Sequence, residues 1–206
     1  YVQYSAILIY IEQTYGENPL ISKNEFNVLV ALNDTPSISQ REIASKSGIS
    51  LGSANAALKS LTEKGMVSNS AISAEGKDAL TPFKVDNAII MAAGLSSRFA
   101  PISYEKPKGL LRVRGEVLIE RQIKQLKEAG INDITVVAGY KKEYFFYLED
   151  TFGVTIVINP EYASRNNNST LMRVREKLGN TFICSSDDYF TENPFEPYVY
   201  QAYYAA

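Results

Sequence analysis

From Asn87 onward, short apolar runs alternate with helical stretches, and this rhythm restricts the second half of the chain to one class of fold. Ala88 to Met91, Ile134 to Ala138, Val154 to Ile158 and Thr181 to Ser185 read as strands. Leu118 to Ala129, Lys142 to Asp150 and Thr170 to Leu178 read as the helices between them, the first closed by Gly130. Strand–helix–strand order predicts a parallel sheet covered by helices. Ligands of such sheets sit at the carboxyl ends of the strands. The chemically interesting loops fall there: Ala93 to Arg98, Gly139-Tyr140, Asn159 to Asn168 and Ser186 to Asp188.

Upstream of Asn87 the pattern is helical with polar turns. Ser22 is a capping candidate for a stripe formed by Phe26, Val28, Leu29, Val30 and Leu32. Ser39 can cap Gln40 to Lys46, which Gly48 ends, and Ser50 can cap a third helix that Gly65 stops. Met66 to Ile72 suggests a small hairpin, and Ser73 to Leu80 a closing turn. Residues 1–18 read as a tyrosine-rich amphipathic helix, a candidate core or homodimer contact. The expected organisation is residues 1–86 as a small helical domain with its N-terminal helix, and 87–206 as an α/β domain.

Composition narrows the chemistry. The 206 residues contain no histidine, which removes imidazole acid–base catalysis, His triads and His metal sites. Carboxylates, lysine, arginine, hydroxyls, backbone amides and a hard metal ion remain, and phosphoryl or nucleotidyl transfer needs little else. A net charge of −2 gives no global attraction for nucleic acid or an anionic membrane. No apolar stretch approaches the roughly 20 residues of a membrane span. The single Cys184 fits a reducing, cytoplasmic setting. The chain begins at Tyr1 and stops without a closing element, so it is expected to be a fragment.

The segment NAIIMAAGLSSRFAPISYEKPKGLLRVRG carries the sharpest signal. A buried strand opens into a small-residue loop whose amides can approach a polyphosphate, and Arg98 and Lys108 can neutralise its charge. The loop is neither a Walker P-loop nor a G-x-G-x-x-G turn. In the first region, the groove side of the third helix carries Ser53, Asn55 and Lys59 as candidate DNA contacts, with Lys59 the one cation among them. Residues 1–86 hold 7 Lys/Arg against 9 Asp/Glu.

These motifs resemble known families. Residues 20–85 are similar to MarR-like winged-helix domains. The Gly-rich loop, Arg98 and Lys106-Pro107-Lys108, followed by VRGEVLIERQIKQLKEAGINDITVVAGYKKE, NPEYASRNNNST and ICSSDDYF, resemble the nucleoside-triphosphate transferase family in its phosphocholine cytidylyltransferase branch. The resemblance implies an α/β protein: a small winged helix-turn-helix domain, then a Rossmann-like nucleotidyltransferase domain with an incomplete, mostly parallel sheet.

It further implies CMP transfer from CTP to a small phosphomonoester such as phosphocholine, with pyrophosphate released. Lys108, Arg98 and Asp187 would be catalytic, with Asp187 holding Mg²⁺. Ala93, Gly94, Leu95, Ser96, Ser97, Gly139, Asn168 and Ser169 would bind nucleotide, and Tyr189 is a candidate acceptor contact. Two other readings stand beside it. One is a sugar-1-phosphate transferase using UTP or dTTP; the other is a DNA-binding regulator with a nucleotide-sensing domain.

Overall fold

The computed structural model describes residues 7–10, 20–95, 100–164 and 167–205, which divide into two compact units. Residues 20–84 with Tyr198–Tyr200 form the smaller unit; residues 7–10, 85–197 and 201–205 form the larger. Strand β1 (Ile7–Tyr10), the first described element, belongs to the larger unit.

In the smaller unit, helices α1 (Lys23–Asp34), α2 (Gln40–Ser47) and α3 (Leu51–Glu63) lead to a hairpin, β2 (Val67–Ser68) and β3 (Ala71–Ile72), and to helix α4 (Ala74–Leu80). A serine starts each helix: Ser22, Ser39, Ser50 and Ser73 accept from the amides of Glu25, Glu42, Ser53 and Gly76. Those amides would otherwise lack an intrahelical partner. Glu25 and Glu42 return the bond to the serine backbone, completing two capping boxes. Val28, Leu29, Leu32, Ile43, Leu61 and Leu80 make the core, and the rings of Phe26, Phe83 and Tyr200 pack with centroids 5.1 to 5.3 Å apart. Ser73 to Leu80, expected as a turn, is the capped helix α4.

The larger unit contains β4 (Asn87–Ala92), α5 (Ile102–Glu105), the hairpin β5 (Arg112–Val113) and β6 (Glu116–Val117), α6 (Leu118–Glu128), β7 (Ile134–Ala138), α7 (Tyr147–Phe152), β8 (Thr155–Ile158), α8 (Asn167–Met172), β9 (Thr181–Ser185) and β10 (Tyr204–Ala205). Its main sheet runs β10-β1-β9-β4-β7-β8. β9, β4, β7 and β8 are parallel, whereas β1 is antiparallel to both β9 and β10. Strand β7 is buried along its whole length, as sheet strands covered on both faces are. After β4 the chain moves to one side through β7 and β8, then returns to place β9 on β4's other side. Ligands of open α/β sheets tend to sit at such a reversal, here the carboxyl ends of β4 and β9.

Three expectations are corrected. Residues 1–18 are not one helix, because Ile7–Tyr10 is a strand registered on Phe182 and its neighbours. The outer edge of β9 leaves a row of main-chain groups to be paired, and Ile-Leu-Ile-Tyr has the β-branched and aromatic character that fits a strand. The boundary at 86 is therefore not a clean cut: β1 joins the sheet, while Tyr198–Tyr200 returns to the smaller unit. The helices expected over 142–150 and 170–178 are also displaced. Each is divided between a 3₁₀ turn and a short α-helix, Lys142–Phe145 before α7 and Arg175–Lys177 after α8.

Candidate active site

Strand β4 delivers Ala93, buried, and then Gly94 and Leu95, which are exposed at the carboxyl end of the sheet. Ser96, Ser97 and Arg98 lie outside the described residues. The loop after β7 comes against the same point, since Tyr140 N donates to the Ala93 carbonyl at 3.3 Å. Gly139 permits the approach: a Cβ there would lie 2.8 Å from the Ala93 oxygen and 2.7 Å from the Tyr162 Cβ. Residues from the ends of β4, β7 and β8 thus meet around Gly139.

Lys108 arrives by a separate route. The 3₁₀ turn Lys108–Leu110 comes after Pro107 and packs onto the segment after β9. Gly109 is the contact point, because a Cβ on it would lie 2.8 Å from the Ser186 Cβ and 2.9 Å from the Ser186 hydroxyl. Ser186 in turn donates its amide to the Met91 carbonyl of β4 at 3.1 Å. These contacts put Lys108 Nζ 3.2 Å from Asp187 Oδ2, with 13% of the lysine and 26% of the aspartate side chain exposed. A cation and a carboxylate partly open to solvent therefore face one another beside the strand that feeds the Ala93 loop.

The neighbouring carboxylate has a different setting. Asp188 is 2% exposed. Burial, and then the Asp188 charge, push the Cys184 thiol above its ordinary range, so Cys184 is no nucleophile. Of the two acids, Asp187 is the one partly exposed to solvent.

Asn159, in the sequence one loop residue among several, organises the far wall. It is fully buried; its Nδ2 donates to the hydroxyls of Ser169 at 3.3 Å and Thr170 at 3.1 Å, and its Oδ1 accepts from Glu161 N. Ser169 is accordingly buried at the start of α8. Asn168 belongs to the same helix by its backbone, and its side chain lies outside the described set. Lys141 ties the β7 loop to the segment ahead of Lys108 by donating to the Tyr104 and Glu105 carbonyls. Tyr189 is half-buried, and the Arg121 guanidinium lies over one face of its ring, 5.0 Å from the centroid.

In the smaller unit, Ser53 is engaged at the start of α3, with its amide and hydroxyl both on Ser50. Asn55 and Lys59 are exposed, and Lys59 stands 4.0 Å from Glu63. The unexpected group is Glu25. It is 5% exposed and takes hydrogen bonds from Lys64 at 2.7 Å, Ser60 at 2.8 Å and the Ser22 amide at 2.6 Å. Burial opposes its ionisation, yet these donors, Lys64 foremost, hold its pKa down at about 2.

Residues 88–193 match the model of the MobA-like NTP transferase domain, and residues 21–68 match a winged helix-turn-helix DNA-binding model. The chain is 46% identical over 108 residues to the choline-phosphate cytidylyltransferase of Streptococcus pneumoniae, covering 52% of this chain and 47% of that protein. It is 45% identical over 115 residues to the 2-aminoethylphosphonate cytidylyltransferase of Lancefieldella rimae, covering 54% and 47%. Among solved structures, CTP:phosphocholine cytidylyltransferase from Streptococcus pneumoniae superposes with a TM-score of 0.53 at 45% identity, over 54% of this chain and 49% of that one. The chain spans about half the length of the relatives it matches.

Proposed function

Since the chain belongs to the MobA-like NTP transferase family, we propose that it is the nucleotide-handling part of a cytidylyltransferase. The reaction is CMP transfer from CTP to a small phosphomonoester such as phosphocholine. An acceptor oxygen bonds to the α-phosphorus, the bond from that phosphorus to the β-bridging oxygen breaks, and pyrophosphate leaves. Among the described residues, the observation that carries this reading is the 3.2 Å approach of Lys108 to Asp187 at the crevice between β4 and β9.

Each residue then has a task. The amides of Ala93, Gly94 and Leu95, with Ser96 and Ser97 beyond them, would cradle the phosphates. Lys108 would act as a point charge on the triphosphate, with Arg98 adding a planar fork. Gly139 and the Asn159–Ser169 pair would shape the base side of the pocket, with Asn168 beside them.

Mg²⁺ fits the donor present. The described residues contain no cluster of three or more acidic, thiol or imidazole groups, so they form no all-protein metal cage. A single accessible carboxylate, Asp187, suits an ion that takes one or two carboxylates and completes its shell with phosphate oxygens and water. When bound, the ion would neutralise charge on the departing pyrophosphate. No protein nucleophile is needed.

The acceptor rests on the relatives alone. Choline-phosphate and 2-aminoethylphosphonate both carry a phosphorus oxyanion and a cationic nitrogen at the two ends of a two-carbon link, which makes a small zwitterionic phospho-compound the acceptor class proposed. A thermal-shift comparison of CTP, UTP and dTTP, each with Mg²⁺, tests the nucleotide. Greatest stabilisation by CTP is expected; greatest stabilisation by UTP or dTTP would move the reading to a sugar-1-phosphate transferase.

A further inference from the structure

The turn that carries Asp187 is held on both flanks by the polar side chains of one helix. On α6, Gln122 Nε2 donates to the Ser185 carbonyl at 3.0 Å, immediately ahead of the turn. Beyond it, Arg121 Nε donates to the Phe190 carbonyl and Arg121 NH2 to the Thr191 carbonyl, both at 2.9 Å. Gln125 Nε2 adds bonds to Phe190 at 3.3 Å and Glu192 at 3.1 Å. The carbonyls of residues 185, 190, 191 and 192 are thus all taken by α6, bracketing the aspartate.

Arg121 is the hub of this clamp. Its third arm, NH1, is anchored on Glu116 at 2.6 Å, and its Cζ lies over the Tyr189 ring, 5.0 Å from the centroid. One guanidinium therefore fixes two carbonyls, one carboxylate and one aromatic ring, all within five residues of either Asp187 or α6. A guanidinium does this with five donors spread over a fixed planar fork, whereas the three donors of a lysine all sit on one nitrogen. Gln122 and Gln125 are 1% and 5% exposed, so their amides are committed to the turn rather than to solvent.

We infer that Arg121 is a positioning residue: it sets the orientation in which Asp187 meets a nucleotide-bound divalent cation, without touching nucleotide or metal itself. The inference rests on the role proposed above for Asp187. Groups that orient a metal ligand influence affinity strongly, and their loss weakens metal binding about 10- to 100-fold.

The test uses the whole chain, with Asp187→Asn, Arg121→Met and Arg121→Lys as variants. Hydrogen exchange of the ligand-free proteins is measured peptide by peptide, and CTP affinity is measured by calorimetry with and without Mg²⁺. In both Arg121 variants, amides 187–192 should exchange at least about tenfold faster while β4 and α7 keep their protection. CTP affinity without Mg²⁺ should stay within about twofold, and the gain on adding Mg²⁺ should fall about tenfold, as in Asp187→Asn. A full Mg²⁺ gain in a folded Arg121→Met or Arg121→Lys protein would overturn the inference. Arg121→Lys keeps the charge and the stem, and decides the matter should Arg121→Met not fold. A full gain in Asp187→Asn would overturn the role of Asp187 instead, and the inference with it.

Discussion

Two glycines show how much of the site depends on absent atoms. Gly139 lets the β7 loop reach Ala93, and Gly109 sits where a methyl would collide with the Ser186 side chain. The lysine turn therefore reaches Asp187 only because residue 109 has no Cβ. Gly109→Ala should push Lys108 away, costing about 1–3 kcal/mol of stability and roughly tenfold in CTP affinity; melting curves and CTP titration check both. In the sequence the lysines of Lys-Pro-Lys-Gly stand out and the glycine looks like spacing. What makes it necessary is a residue 77 positions away, and no local pattern reports that.

Glu25 makes a pH argument at the same scale. Its folded-state pKa of about 2 lies below the ordinary carboxylate value, so it adds stability that is complete above about pH 4.5 and disappears as the pH falls through about 2. The contribution is on the order of 2–3 kcal/mol. Acid unfolding of the wild type should therefore steepen between those limits, and Glu25→Gln should lose most of that pH dependence while being less stable at pH 7. Equal acid sensitivity in the two proteins would refute the assignment.

At the scale of elements, helix starts are legible in the sequence because Ser22, Ser39 and Ser50 have the residue type of a cap and stand just ahead of apolar-periodic stretches. The sheet strands are legible from apolar runs bounded by polar turns. Strand β1 is not, because its partners are about 170 residues away and Ile-Leu-Ile-Tyr alone does not choose between strand and helix. Helix α6 is legible as a helix, but its buried polar residues are hidden: Gln122 and Gln125 look like solvent-facing positions until the β9 turn is seen against them.

Asn159 is a comparable case, a loop asparagine that fastens the end of β8 to the start of α8. Asn159→Ala removes its hydrogen bonds to the Ser169 and Thr170 hydroxyls and to the Glu161 amide and should destabilise the chain by about 2–3 kcal/mol. Denaturant unfolding measures this; a loss below about 0.5 kcal/mol would show that Asn159 does not carry the junction.

For the molecule as a whole, the metal and the DNA questions become statements about charge. The described residues place one accessible carboxylate at the crevice, so Mg²⁺ alone should not raise the melting temperature, whereas Mg²⁺ with CTP should. A clear shift with Mg²⁺ alone would mean that a protein-built metal site exists. In the winged-helix unit, α3 carries one lysine with Glu63 beside it. With so few phosphate contacts, duplex DNA should bind no more tightly than about 10⁻⁶ M at physiological salt, as gel retardation can show.

The most direct measurement is CTP affinity, with Mg²⁺ present, in Lys108→Met set against the wild type, with circular dichroism confirming equal folding. If the ammonium that meets Asp187 also meets the triphosphate, the variant should bind at least about 100-fold more weakly, a loss near 3 kcal/mol. Unchanged affinity in a folded Lys108→Met protein would contradict the account, because the crevice between β4 and β9 would then not be where the nucleotide sits.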